Sequence, residues 1–218
     1  MKLLIALIIF VMMSINVAMA DTIPNSALPP CEGEGCYIVA EKIALKETTD
    51  TKGLKIRTGL FGVIIPSNLI SISSSPQSSL TVYRYENRPS ISICTETDHD
   101  YLLRGLTTKP PSIQAFMEIV YAKVPKDFDV TGTYDKETWN ALMWLKKLIV
   151  EKNSKIYIYE RGSLKIYYET GIDREPSRNA AWAIDSDNPN LALRLESNMD
   201  AADFKTILLS ITTKTRGK

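Results

Sequence analysis

Histidine occurs once in 218 residues, cysteine three times, glycine ten and proline eleven. One imidazole removes every multi-histidine metal site and leaves triad chemistry nowhere to sit except around His99. Low glycine and proline, set against 44% hydrophobic residues, exclude collagen-like and low-complexity chains. An excess of one charge is missing too, because 26 Lys+Arg meet 25 Asp+Glu for a net +1. Without a basic surplus there is no electrostatic footprint for nucleic acid or an anionic membrane surface. No Gly-x-Ser-x-Gly elbow occurs, and no cysteine pair has zinc spacing.

What is present starts with the first twenty residues. Lys2 precedes an unbroken apolar run from Leu3 to Met13, and Ala18-Met19-Ala20 carries the small residues of a signal-peptidase site. The pattern predicts a signal peptide over 1–20 and cleavage before Asp21. About eleven apolar residues are too few for a bilayer, which takes roughly 20, and no second such run follows. The expectation is a periplasmic or secreted protein with no transmembrane anchor after cleavage. Export also predicts oxidised cysteines. Cys31 and Cys36 flank Glu-Gly-Glu-Gly, whose glycines let so short a loop close, so a Cys31–Cys36 disulfide is the preferred pairing. A bridge from either one to Cys94 is the alternative. Cys94 follows Ile91-Ser92-Ile93 and otherwise reads as a buried strand thiol.

Residues 21–36 read as an extended, cysteine-containing arm, and 37–218 as a single α+β domain with a helical insertion at 109–150. Strands are expected at Tyr37 to Ala40, Leu60 to Ile65, Leu69 to Ile72, Leu80 to Tyr85 and Ser90 to Ile93. Pro110-Pro111-Ser112 opens a helix with Ile113, Phe116, Ile119 and Val120 on one side. Asp135 caps a second, covered by Trp139, Leu142, Met143, Leu145 and Ile149. A hairpin through Arg161-Gly162 joins Lys155 to Tyr159 with Leu164 to Tyr168, and strands follow at Ala181 to Ile184 and Leu191 to Leu195. An amphipathic helix from Asp200 closes the chain, with Phe204, Ile207, Leu208 and Ile211 in one stripe. The fold class is α+β: a largely antiparallel sheet shared by both halves, a helical hairpin insertion and a C-terminal amphipathic helix.

Candidate chemistry is sparse. His99 sits among Glu96, Asp98 and Asp100, but sequence neighbours cannot converge on one ion, so the segment reads as a polar turn. Asp185, Asp187 and Asn188 lack the later glutamate of a calcium loop and read as a turn as well. Ten tyrosines exceed five phenylalanines, and Tyr157, Tyr159, Tyr167 and Tyr168 crowd one hairpin. They are either a face for a carbohydrate or protein partner, or strand formers covered by a helix.

The segment Asp129-Val130-Thr131-Gly132-Thr133-Tyr134-Asp135-Lys136-Glu137-Thr138-Trp139-Asn140-Ala141-Leu142 resembles the second half of the small three-helix peptidoglycan-binding domain. Ile113, Phe116 and Val120 keep that family's first-helix spacing, so the resemblance spans residues 112–147. Met117 and Leu145-Lys146 depart from the glutamine-bearing pattern usual there. The resemblance implies ligand contacts from Tyr134, Trp139 and Asn140, with core packing the competing role for Trp139. The Phe61-Gly-Val-Ile-Ile-Pro66 strand and the closing helix are similar in layout to PsbP-type exported proteins.

The resulting expectation is an exported, non-enzymatic cell-envelope binding protein with no cofactor or metal. Its partner is peptidoglycan or an envelope protein, met through residues 110–147. The alternatives are a periplasmic inhibitor or immunity protein whose partner docks on the tyrosine hairpin, and an envelope hydrolase whose carboxylates the sequence does not single out.

Overall fold

Side-chain caps start three helices. Ser112 Oγ accepts from the Ala115 N–H at 3.0 Å, Asp135 Oδ1 from Thr138 at 2.6 Å, and Asp200 Oδ1 from Ala202 at 2.7 Å. Each cap satisfies an orphan donor of the first turn, worth about 1 kcal/mol. The computed structural model describes residues 29–45, 52–75, 79–97, 108–128, 133–150, 154–171 and 178–213. The expected leader over 1–20, His99 and Gly132 lie outside them.

Along the chain run β1 (Glu41–Ala44), β2 (Leu54–Thr58), β3 (Phe61–Ile65), β4 (Leu69–Ser74), β5 (Thr81–Tyr85) and β6 (Ile91–Glu96). Helices α1 (Ile113–Ala122) and α2 (Lys136–Ile149) follow, then β7 (Lys155–Arg161), β8 (Leu164–Thr170), β9 (Asn179–Asp185) and β10 (Ala192–Ser197). Helix α3 (Ala201–Leu209) and the short β11 (Thr212–Thr213) complete the order. The fold is α+β, as the patterning predicts.

Among the described residues, eight strands form the main sheet in the order β1-β7-β8-β9-β10-β6-β5-β4, parallel only at β1–β7 and antiparallel elsewhere. The two halves of the chain meet where β10 pairs with β6, Ala192 opposite Glu96 and Ser197 opposite Ile91. Strand alternation then sends successive residues to opposite cores. Ile156, Ile158, Tyr167 and Ile184 pack under α1 and α2 with Phe116, Val120, Leu142 and Met143. Tyr159, Ile166, Tyr168, Leu193 and Leu195 face Phe204 and Leu208 of α3 on the other side.

A second, three-stranded sheet, β11-β3-β2, covers that other side with Phe61, Val63 and Ile65. Ser210 ties it to α3, its Oγ accepting from the Ile64 N–H at 2.9 Å. Here the structure corrects the sequence reading, which placed the 60–65 strand in the main sheet. The apolar run Tyr37 to Ala40 is not a strand either. Glu34–Tyr37 is a 3-10 turn, and Ala40 N–H bonds to Tyr121 O at 2.8 Å before β1 begins. The described end of the arm is therefore a folded turn against α2, not an extended segment.

Candidate functional site

A helix turns 100° per residue, and that rotation sorts α2 into two arcs. Thr138, Trp139, Leu142, Met143, Leu145 and Lys146 face inward and are buried. Lys136, Asn140, Trp144, Lys147 and Leu148 fall on the outward arc, where Leu148 is 66% exposed and Trp144 is partly exposed. This arrangement separates the three residues expected to share a ligand site. Trp139 is core, 4% exposed, and its Nε1 donates to Pro125 O at 3.1 Å. Tyr134 lies against it with ring centres 6.3 Å apart, and Phe128 packs at 6.2 Å. Asn140 stands on the outward arc one turn from Trp144. Tyr134 and Trp139 thus form an aromatic corner at the start of α2, and Asn140 belongs to a different face.

Trp144 is held from outside the helix. Its Nε1 donates to Pro29 O at 2.9 Å, and Lys147 Nζ donates to Glu32 O at 3.0 Å. That ammonium also sits 4.6 Å from the centre of the Trp144 ring, a cation–π distance. Cys31 and Cys36 are bonded to each other, as expected, and Cys94 is free. The disulfide is buried in the core beneath α1 and α2, and Cys31 Sγ rests 3.3 Å from Met143 O. Gly33 has φ +112°, a conformation that favours glycine, and a Cβ on Gly35 would meet Val150 O at 3.2 Å. Trp144 was absent from the sequence-derived site. The signal was there, since four residues separate it from Asn140.

The hairpin tyrosines do not offer a docking face. Tyr159, Tyr167 and Tyr168 are 1%, 0% and 2% exposed, and only Tyr157 is half-buried. Tyr157, Tyr159 and Tyr168 stack at 5.8–6.1 Å, with Phe204 of α3 5.7 Å from Tyr168. Tyr168 Oη donates to Asn179 Oδ1 at 2.8 Å, and Asn179 Nδ2 donates on to Met199 O at 2.7 Å. Burial pushes the Tyr159 and Tyr168 hydroxyls up to about 12. On the helix side, Tyr167 Oη and Lys165 Nζ both donate to Glu118 Oε1, at 2.9 and 2.5 Å, fastening α1 to β8.

Beyond α1 the same sheet face carries charge. Arg194 Nη1 bonds Glu96 at 3.0 Å, its Nη2 bonds Glu196, and Arg178 reaches Glu196 at 3.0 Å. The Arg194 guanidinium also lies 5.4 Å from the Trp182 ring centre, and Trp182 Nε1 donates to Glu96 at 3.3 Å. Burial opposes the Arg194 charge, but Glu196 and Glu96 reverse that and hold it firmly protonated. Glu196 experiences burial in the opposite sense, and the Arg194 and Arg178 charges still leave its pKa lowered. Two cations and two carboxylates compensate one another, so the cluster is an internal ion network. Cys94 neighbours it, its thiol pushed up to about 11 by burial and then by Glu96, which leaves it a poor nucleophile at neutral pH. The Asp185 segment is a turn, with Asp185 Oδ1 accepting from the Asp187 N–H at 3.2 Å.

Among the described residues no group of three His, Cys, Asp or Glu side chains could hold a metal ion. No described helix is long and apolar enough to cross a membrane. No family model matches the chain, and no curated protein does. Among solved structures, a protein from Bacteroides thetaiotaomicron VPI-5482, determined at 1.50 Å, is similar at a TM-score of 0.39 and 10% identity. The match covers 77% of this chain and 51% of that one, so this chain spans about half its length.

Proposed function

We propose that the protein is an exported cell-envelope binding protein that does no chemistry of its own and contacts the glycan of peptidoglycan through the outward arc of α2. The observation carrying this reading is the partly exposed Trp144 ring, packed against the core on one side and held in place one turn from Asn140, with the Lys147 ammonium over it. The exposed part of an ordered indole offers apolar area to a sugar ring. Lys136 and Lys147 on the same arc add positive charge toward the carboxylates of peptide stems. Export rests on the leading apolar run and Ala18-Met19-Ala20, and the Cys31–Cys36 bond is in keeping with an oxidising compartment. Periplasmic or secreted location belongs to the same proposal.

Co-sedimentation with purified sacculi tests it. Wild type is expected to pellet with the wall, and Asn140→Ala with Trp144→Ala to remain in the supernatant while keeping its far-UV spectrum. Tyr134→Ala serves as the comparison: it removes a ring tilted against Trp139, costing about 0.5–1.5 kcal/mol of stability, and is expected to leave wall binding in place. Wild-type protein that stays in the supernatant at low salt would sink the proposal. An envelope protein as partner is then the reading to pursue, and the same α2 variants would probe it.

A further inference from the structure

We infer that the Cys31–Cys36 loop is the positioning element of the α2 face, so that the face binds its glycan only when the two cysteines are joined. This rests on the reading of α2 as the contact surface. The two side chains at the centre of that surface each give a donor to the loop or its flank, Trp144 to Pro29 O and Lys147 to Glu32 O. Pro29 lies two residues before Cys31 and Glu32 one residue after it, so Cys31 anchors both carbonyls. Cys31 is itself 2% exposed against Met143, and Cys36 is fully buried in the same core. Gly33 and Gly35 leave the intervening backbone little intrinsic preference for this shape.

Two free thiols would release that constraint. A loop with two glycines regains many conformations, and its carbonyls then no longer hold the indole and the ammonium in one arrangement. Trp144 and Lys147 keep their places on the helix but lose the contacts that select their rotamers. Joining the sulfurs forms the Sγ–Sγ bond with loss of two protons and two electrons. The electrons pass to a disulfide oxidant, which leaves as its dithiol. The surface is therefore assembled by oxidation, and the reduced chain does not display it.

The indole N–H signals of Trp139, Trp144 and Trp182 in a ¹⁵N spectrum, assigned by single Trp→Phe variants, read this directly. In Cys31→Ala with Cys36→Ala, the Trp144 signal is expected to shift and broaden. Trp139 and Trp182, bonded to Pro125 O and Glu96, stay in place. Sacculus binding is expected to weaken at least tenfold. An unmoved Trp144 signal overturns the inference, and so does a moved signal with undiminished binding. If oxidised wild type fails to bind sacculi, the proposed function falls, and the Trp144 signal alone still decides whether the loop positions the ring. Should the double variant not fold, Gly35→Val takes its place. It keeps the disulfide and the whole α2 face but crowds the loop against Val150 O, which even a Cβ alone would approach to 3.2 Å. The same shift and the same loss of binding are expected, and neither occurring refutes the positioning role.

Discussion

Replacing Lys146 with methionine is expected to leave the protein as stable at pH 7 as before, or more so, although it deletes a hydrogen bond. Lys146 is fully buried in α2, and its Nζ donates to Lys123 O at 2.5 Å. Burial pulls its pKa from 10.5 down to about 8, with the Asp127 charge acting the other way. At roughly 1.4 kcal/mol per unit, a shift from 10.5 to 8 puts a penalty of about 3 kcal/mol on the buried ammonium. Removing the donor leaves the Lys123 carbonyl short of a partner, a loss of about 1–3 kcal/mol. The two effects leave a balance between zero and about 2 kcal/mol in favour of methionine.

The sign of the pH dependence follows from the same shift. Because the folded pKa is the lower one, the unfolded chain binds more protons between pH 8 and 10.5, so stability rises with pH across that window. From pH 7 to pH 9 wild type gains about 1 kcal/mol from this group, and Lys146→Met gains nothing from it. Cys94 works in the opposite direction, since its thiol is raised from 9.0 to about 11, and it does so equally in both proteins. Urea unfolding of the pair at pH 7 and pH 9 isolates the difference. Equal responses to pH would contradict the lowered pKa of Lys146, and a variant more than about 3 kcal/mol less stable at pH 7 would make the lysine a net stabiliser.

Arg194→Met is expected to cost about 2–4 kcal/mol, because it leaves Glu96 and Glu196 facing each other without the intervening cation. Glu196 has a lowered pKa, so the stability it contributes is present above pH 4.5 and is lost as pH falls through its folded value. Acid titration of unfolding should therefore show a shallower loss in Arg194→Met than in wild type, and identical acid limbs would count against the ion network. Cys94 should react with iodoacetamide at pH 8 far more slowly than a free peptide thiol, and at the peptide rate once unfolded in denaturant. Cys94 is partly buried, not fully buried as its strand position suggests, and rapid labelling of the native protein would contradict its raised pKa.

The helices were legible because their signals are local. Ser112, Asp135 and Asp200 mark the starts, and the 3.6-residue spacing of Phe116, Leu142 and Phe204 marks the inner faces. Strands with clear alternation, such as Thr81 to Tyr85 and the Arg161-Gly162 hairpin, were legible for the same reason. β1 was not, because Glu-Lys-Ile-Ala at a sheet edge has one partly buried side chain and owes its place to pairing with β7. β2 carries the alternating pair Leu54 and Ile56, but both are short-range features of a small second sheet that only the tertiary fold defines. Tyr37 to Ala40 misled because apolarity there serves a turn beside a disulfide. The tyrosine hairpin shows the general limit. Periodicity says that Tyr159 and Tyr168 share a face, but not that α3 and a second sheet will cover it.

Titration of oxidised, ¹⁵N-labelled protein with soluble muramyl glycan fragments reads the contact at the residues proposed to make it. A ligand that meets the outward arc of α2 should move the Trp144 indole signal in proportion to saturation, together with the Asn140 side-chain amide. Trp139, in the core at Pro125, and Trp182, on the charged sheet face, should stay where they are. A titration that leaves Trp144 unmoved, or that moves Trp182 in its place, would contradict the assignment of this face as the binding surface.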